Sequence, residues 1–239
     1  GSSKKGESEE TKTEEEATVV TAGDENGTEF EMWAFVELDA KFYEEMVKEW
    51  NEQNPDKTIN LKMTVLPYGD MHTKLQSSLL AGKGAPDLCD IEVGQFPNFL
   101  KGVPQLETLN DVVEPYKDSI VESRLNLYSK DGDIYGLPTH VGATVAFYNT
   151  ELLEEAGIDY TTIKTWDDFK EAGIKYYEAT GKHLGTADTG SIWTESLMLS
   201  ELGSDYTDDK GNPQIDTPEM KKLLTTLIEL QECNAIATI

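Results

Sequence analysis

Arginine is almost missing from this 239-residue chain: Arg124 is the only one, and every other basic residue is a lysine. Lys and Arg together number 20 against 46 Asp and Glu, which leaves a formal net charge of −26. Without a basic cluster to displace phosphate counterions, nucleic acid is excluded as a partner, and an anionic membrane surface is disfavoured for the same reason. Anionic ligands would meet a repulsive field, so neutral or cationic ones are favoured. Cysteine is equally scarce. Cys89 and Cys233 stand far apart with neither a C-x-x-C pair nor a neighbouring His. No metal site is therefore expected, and Cys89, set in an apolar stretch, reads as a core thiol. No run of about 18 apolar residues is present to span a bilayer. A G-x-G-x-x-G fingerprint, a Walker A loop, an H-E-x-x-H helix and a G-x-S-x-G elbow are all absent, and His72, His140 and His183 fall in separate elements. No cofactor is expected.

What is present is a patterned α/β chain. Residues 1–29 hold nine carboxylates, three Lys and only Val19 and Val20 as sizeable apolar side chains. Such a stretch cannot bury enough surface to offset ordering entropy, so it reads as a disordered acidic leader. Phe30 to Val36 is a short apolar run of the kind a buried strand shows. A helix follows with Phe42, Tyr43, Met46, Val47 and Trp50 on one face, stopped by Pro55. Ile59, Leu61, Met63 and Val65 alternate with polar residues as in a half-buried strand, and Pro67, Gly69 and Asp70 mark a loop. Met71, Leu75 and Leu79 then share a helical face, and Asp87 to Glu92 forms a third strand. Strand–helix–strand order implies a parallel sheet with right-handed crossovers. In the second half, a hairpin at Asp131-Gly132 precedes an apolar strand over Val141–Tyr148. Helices are expected from Glu151, from Trp166 (capped by Thr165 with Asp168 as reciprocal partner), over Ile192–Leu202, and from Pro218 behind Thr217. The fold class is α/β, with a first lobe over 30–138, a second over 139–239, and a joint near 137–142.

In open parallel sheets, ligands bind beyond the carboxyl ends of the strands. That rule selects Glu37 to Asp39, Tyr68 to Asp70, Glu92 to Gln95, and Asp188 to Trp193. Carboxylates accept paired hydroxyl hydrogen bonds, and an indole face packs on the C–H side of a sugar ring, so the set suits a neutral polyhydroxylated ligand. Trp33 and Trp50 read as core, Trp166 as a helix anchor, and Trp193 as the ligand-facing aromatic. The residues leave open a receptor for a peptide or cationic small molecule, and a glycan hydrolase built on two carboxylates.

Three stretches carry a likeness to a known family: Ala85-Pro86-Asp87 entering the third strand, Ile134-Tyr135-Gly136-Leu137-Pro138 with Phe147-Tyr148-Asn149, and Thr165-Trp166-Asp167-Asp168-Phe169. In order and spacing they resemble the first part of a family 1 extracellular solute-binding protein, the maltose-binding-like class of bacterial carbohydrate ABC importers. The resemblance implies a two-lobe periplasmic-binding-protein-like (type II) fold with mainly parallel sheets, cut short before the chain returns to lobe one. It also implies a non-enzymatic receptor that closes on a neutral sugar or oligosaccharide and delivers it to permease transmembrane subunits. Its ligand loops fall on Glu37, Tyr68, Glu92, Gln95, His140, Asp188 and Trp193. The acidic leader is similar to the linker after the lipid-bearing Cys of Gram-positive lipoproteins, so a lipid anchor on the extracellular face of the membrane is expected.

Overall fold

A computed structural model describes residues 17–239. The chain divides between Val141 and Gly142 into two compact units, just past the boundary expected at 138.

In unit 1, β1 (Thr18–Gly23), β2 (Thr28–Ala34), β3 (Ile59–Val65) and β4 (Leu88–Cys89) form one sheet in the order β1-β3-β2-β4. β2 runs parallel to both β3 and β4, and β1 pairs antiparallel with β3. The two crossovers are α1 (Glu37–Gln53) and α2 (Tyr68–Ala81). Strand alternation sorts the core onto two faces. Met32, Ala34, Leu61, Met63 and Val65 pack on Ala40 and Val47 of α1, whereas Trp33 turns the other way onto Met71 and Leu75 of α2.

Residues 1–16 lie outside the described part of the chain, but Thr18–Gly23 is a strand, so the disordered reading of residues up to 29 is corrected there. Val20 and Ala22 face Met63 and Leu61 across the β1–β3 ladder and are packed against that core. Asp24 then fixes the turn into β2, accepting from the Thr58 hydroxyl at 2.7 Å and the Asn26 amide at 2.9 Å. Backbone pairing with the free edge of β3, together with this packing, orders the segment rather than its own composition.

Several other expectations shift. The third strand contracts to Leu88–Cys89, and the loop expected around Gly69 and Asp70 is the first turn of α2. Trp50 is half exposed rather than core, with its indole N–H donating to the Lys57 carbonyl at 2.9 Å. The rest of unit 1 comprises α3 (Phe96–Phe99), α4 (Asn110–Val113), a 3-10 turn (Glu114–Ser119), α5 (Glu122–Asn126) and the hairpin β5 (Ser129–Lys130) to β6 (Asp133–Ile134). The hairpin turn sits where expected, with φ of 53° at Asp131 and 89° at Gly132, as a two-residue type I′ connection requires.

The apolar stretch Val141–Tyr148 forms no strand. Among the described residues no strand pairs with it, and Val141, Val145 and Phe147 are exposed. An apolar run without a ladder partner cannot satisfy its backbone as a strand.

Unit 2 contains α6 (Thr150–Glu155), a 3-10 turn (Tyr160–Thr162), α7 (Trp166–Thr180), β7 (Gly185–Ala187), α8 (Trp193–Glu201), α9 (Pro218–Glu232) and β8 (Ile236–Thr238). β7 and β8 are parallel. The capping box that opens α7 is present: Thr165 Oγ1 accepts from the Asp168 amide, and Asp168 Oδ2 accepts from the Thr165 amide. Thr217 caps α9 with its hydroxyl oxygen alone, accepting from the Met220 amide at 3.2 Å. The buried stripe of α9 is Met220, Leu223 and Leu230 with Leu227 partly buried, while Leu224 and Ile228 face solvent.

Candidate functional site

Because β2, β3 and β4 run parallel, the residues that follow them emerge at one end of the sheet. Phe35 follows β2, Tyr68 opens α2 after β3, and Glu92 follows β4. The Tyr68 hydroxyl donates to Glu92 Oε2 at 3.1 Å, and the Gly94 amide donates to the same oxygen at 2.8 Å. Glu92 Oε1 has no protein donor among the described residues. The carboxylate is thus held by one oxygen and offers the other. The Glu92 carbonyl accepts from the amides of Gln95 and Phe96, each at 3.0 Å, which wraps the 92–96 segment into a tight turn. The Gln95 side chain accepts from Asn98 at 3.3 Å.

Beneath this pair lies His72, 3% exposed. It touches Tyr68 and Phe35, with ring centroids 4.7 and 5.1 Å away, and Phe35 meets Tyr68 edge-on at 5.5 Å. His72 was not singled out by sequence. The signal was there in its spacing, since i and i+4 place it on the helical face of Tyr68.

A cavity of about 800 Å³ in unit 1 is lined by Asp39, Asp90, Glu92, Arg124 and His140, among others. Burial first, then hydrogen bonding and repulsion from Asp39, push the Asp90 carboxyl up to about 6. The neighbouring Cys89 thiol is pushed up to about 12, by burial and then by Asp90. Cys89 is therefore an inert, mostly buried thiol, and its Sγ lies 3.3 Å from Met71 Sδ. Both cysteines are free. Among the described residues, no group of three or more His, Cys, Asp or Glu is placed to hold a metal ion.

Within unit 1, Glu37 and His140 make no hydrogen bond to Tyr68 or Glu92. Glu37 begins α1 and its Oε1 accepts from Thr18 at 3.3 Å. His140 is exposed, with Nδ1 3.3 Å from the Thr139 hydroxyl, and shares only the cavity wall with Glu92. In unit 2, Asp188 Oδ1 accepts from the Gly190 amide at 2.7 Å and shapes the turn before α8. Trp193, the first residue of α8, is 69% exposed and so is not part of a core. Trp166 anchors its helix as expected, donating from Nε1 to Glu201 at 3.0 Å.

The parallel sheet, with Tyr68 and Glu92 at its carboxyl end, is followed along the chain by a second α/β unit. Residues 35–232 match the bacterial extracellular solute-binding protein family, and the chain belongs to it. It is similar to the arabinooligosaccharide-binding protein of Halalkalibacterium halodurans, 46% identical over 93% of this chain and 50% of that protein. The arabinooligosaccharide-binding protein of Bacillus subtilis is 44% identical over 88% of this chain and 49% of its own length. Among solved structures, the sugar-binding protein MalE of Xanthomonas citri superposes with a TM-score of 0.72 at 22% identity, covering 87% of this chain and 53% of that one, which shows the shared fold. The chain spans about half the length of the relatives it matches.

Proposed function

We propose that this chain forms part of the extracytoplasmic receptor of a carbohydrate ABC importer, and that its ligand is a neutral arabinooligosaccharide passed unaltered to the permease subunits. The observation that carries the reading is that two relatives, matched over most of this chain at 46% and 44% identity, are both arabinooligosaccharide-binding proteins. The site chemistry agrees with it. Glu92 presents one unengaged carboxylate oxygen, suited to a sugar hydroxyl, beside the exposed ring of Tyr68. A charge of −26 opposes anionic ligands and leaves neutral glycans unaffected.

In this reading Tyr68, Glu92 and Gln95 form the ligand face of unit 1, with Glu37 and His140 as further contacts there. Asp188 and Trp193 supply contacts from unit 2, the exposed indole of Trp193 stacking on a sugar ring. Attachment of the full protein to the outer face of the membrane through a lipid is part of the same proposal, the acidic stretch before β1 suiting a solvated spacer.

The test is calorimetric titration of the protein with arabinotriose, and with a neutral peptide and spermidine as competitors for the assignment. Saturable heat with arabinotriose, lost in Glu92→Ala and Trp193→Ala, is the expected result. Binding of spermidine or peptide without arabinotriose would overturn the carbohydrate assignment, and shortened sugars after prolonged incubation would overturn the receptor assignment.

A further inference from the structure

We propose that His72 is the positioning residue of the Glu92 site, a neutral imidazole that ties the first turn of α2 to the segment after β4. The inference rests on the reading of Glu92 as a ligand contact, but its geometric part stands independently of any sugar.

His72 Nδ1 lies 2.7 Å from the Tyr68 carbonyl oxygen, and His72 Nε2 lies 3.0 Å from the Glu92 backbone nitrogen. A carbonyl only accepts and an amide N–H only donates, so the protonation of the ring follows from its partners. Nδ1 carries the hydrogen and Nε2 offers its lone pair. An imidazolium, with hydrogens on both nitrogens, would set a donor against the Glu92 N–H. The rings of Tyr68 and Phe35 pack on this imidazole at 4.7 and 5.1 Å, and the Glu92 backbone meets its Nε2.

The two bonds of the ring have distinct targets. One holds the backbone of the residue whose hydroxyl meets Glu92, and the other holds the backbone of Glu92 itself. The Tyr68–Glu92 distance of 3.1 Å is therefore set from below by one buried side chain, packed against two aromatic rings. A binding carboxylate needs such support, because a donor or acceptor free to swing loses affinity to ordering entropy when ligand arrives. His72 does not touch the ligand in this scheme.

Three measurements test it. The ring ¹⁵N shifts of the wild-type protein at neutral pH are expected to report the neutral Nδ1–H form; the Nε2–H form or an imidazolium would overturn the geometry. In His72→Phe, which keeps ring volume without either bond, the Glu92 amide is expected to exchange on the order of tenfold faster, and the arabinotriose Kd to rise about tenfold. His72→Gln retains a donor and an acceptor on one side chain and is expected to recover most of that affinity. Unchanged Glu92 exchange in His72→Phe, or a folded His72→Gln no better than His72→Phe, would overturn the positioning role. If wild-type protein fails to bind arabinotriose, the functional reading falls alone, and the ring shifts and amide exchange still decide the clamp.

Discussion

The Tyr68 hydroxyl reaches Glu92 Oε2 at 3.1 Å across 24 positions of sequence, and the Gly94 amide occupies the same oxygen from the other side. Glu92 is thus oriented by the protein itself, which in the proposed receptor lowers the ordering cost of binding. Tyr68→Phe deletes one of the two donors while preserving the edge-on contact with Phe35. It is expected to weaken arabinotriose binding by about three- to tenfold, with little change in melting temperature, since the lost bond is at an exposed position. Titration calorimetry paired with a thermal melt checks both halves; a loss of stability equal to the loss of affinity would contradict it.

Asp90 gives unit 1 a pH dependence with a definite sign. Its carboxyl is raised from 3.8 to about 6, through burial and then through Asp39, so folding favours the protonated form. This contribution is fully present below about 3.8 and is lost as the pH rises through about 6. Asp90→Asn, which mimics the protonated group, is expected to raise the melting temperature at pH 7.5 and to leave it nearly unchanged at pH 4. Asp24 and Asp168 act in the opposite sense, held low by their hydrogen bonds, and lose their contribution as the pH falls below 3.8. Comparing wild type with Asp90→Asn at each pH cancels them. An equal gain at both pH values would rule out the raised carboxyl as the cause.

Gly173, in the middle of α7, is buried against Ala235 so closely that an added Cβ would lie 2.3 Å from the Ala235 Cβ and 2.7 Å from its Cα. Replacing a mid-helix glycine by alanine ordinarily stabilises a helix by roughly 0.5–1 kcal/mol. Here the clash is with backbone and a stub side chain that cannot swing away, so overpacking of about 1–3 kcal/mol wins. Gly173→Ala is expected to destabilise the chain in denaturant titration. Ala235→Gly in the same background should restore part of the loss, and its failure to do so would show that the contact is not the cause.

Thr165 supplies the cap of α7 through its hydroxyl to the Asp168 amide. Thr165→Ala is expected to cost about 1 kcal/mol, and Thr165→Ser much less, because serine keeps the accepting oxygen. Identical stabilities for the two variants would exclude the cap as the source.

Periodic elements were legible from the chain itself. β3 occupies Ile59–Val65 as its alternation implies, and α7 starts at Trp166 behind a capping box whose two residues are three apart. The hairpin at Asp131-Gly132 was legible because only that turn chemistry tolerates two successive positive φ values. Tyr68, Glu92 and Gln95 are candidates from a rule about strand ends; Tyr68 and Glu92 meet in one hydrogen bond, and Gln95 belongs to the turn that Glu92 opens. Glu37 follows the same rule yet stands outside the Tyr68–Glu92 hydrogen bonds, since a strand end locates a loop without saying where its side chain turns; His140, which only the family resemblance implies, stands outside them too.

Other features had no local signal. β1 looked like solvated leader because its stability comes from pairing with β3, a partner some 40 positions away, and not from its own composition. Val141–Tyr148 looked like a strand and is not, for the converse reason: its apolar pattern finds no ladder partner among the described residues.

The chain's composition and short-range pattern were enough to settle the α/β class, the helix caps and the acidic field, and three short motifs carried the resemblance to the family to which the protein belongs. Tertiary structure alone decided which edge segment joins the sheet, that His72 underlies Glu92, and that Asp90 faces Asp39. Periodicity and capping are local interactions written in neighbouring residues, whereas hydrogen-bond partners and desolvation depend on side chains brought together from distant positions.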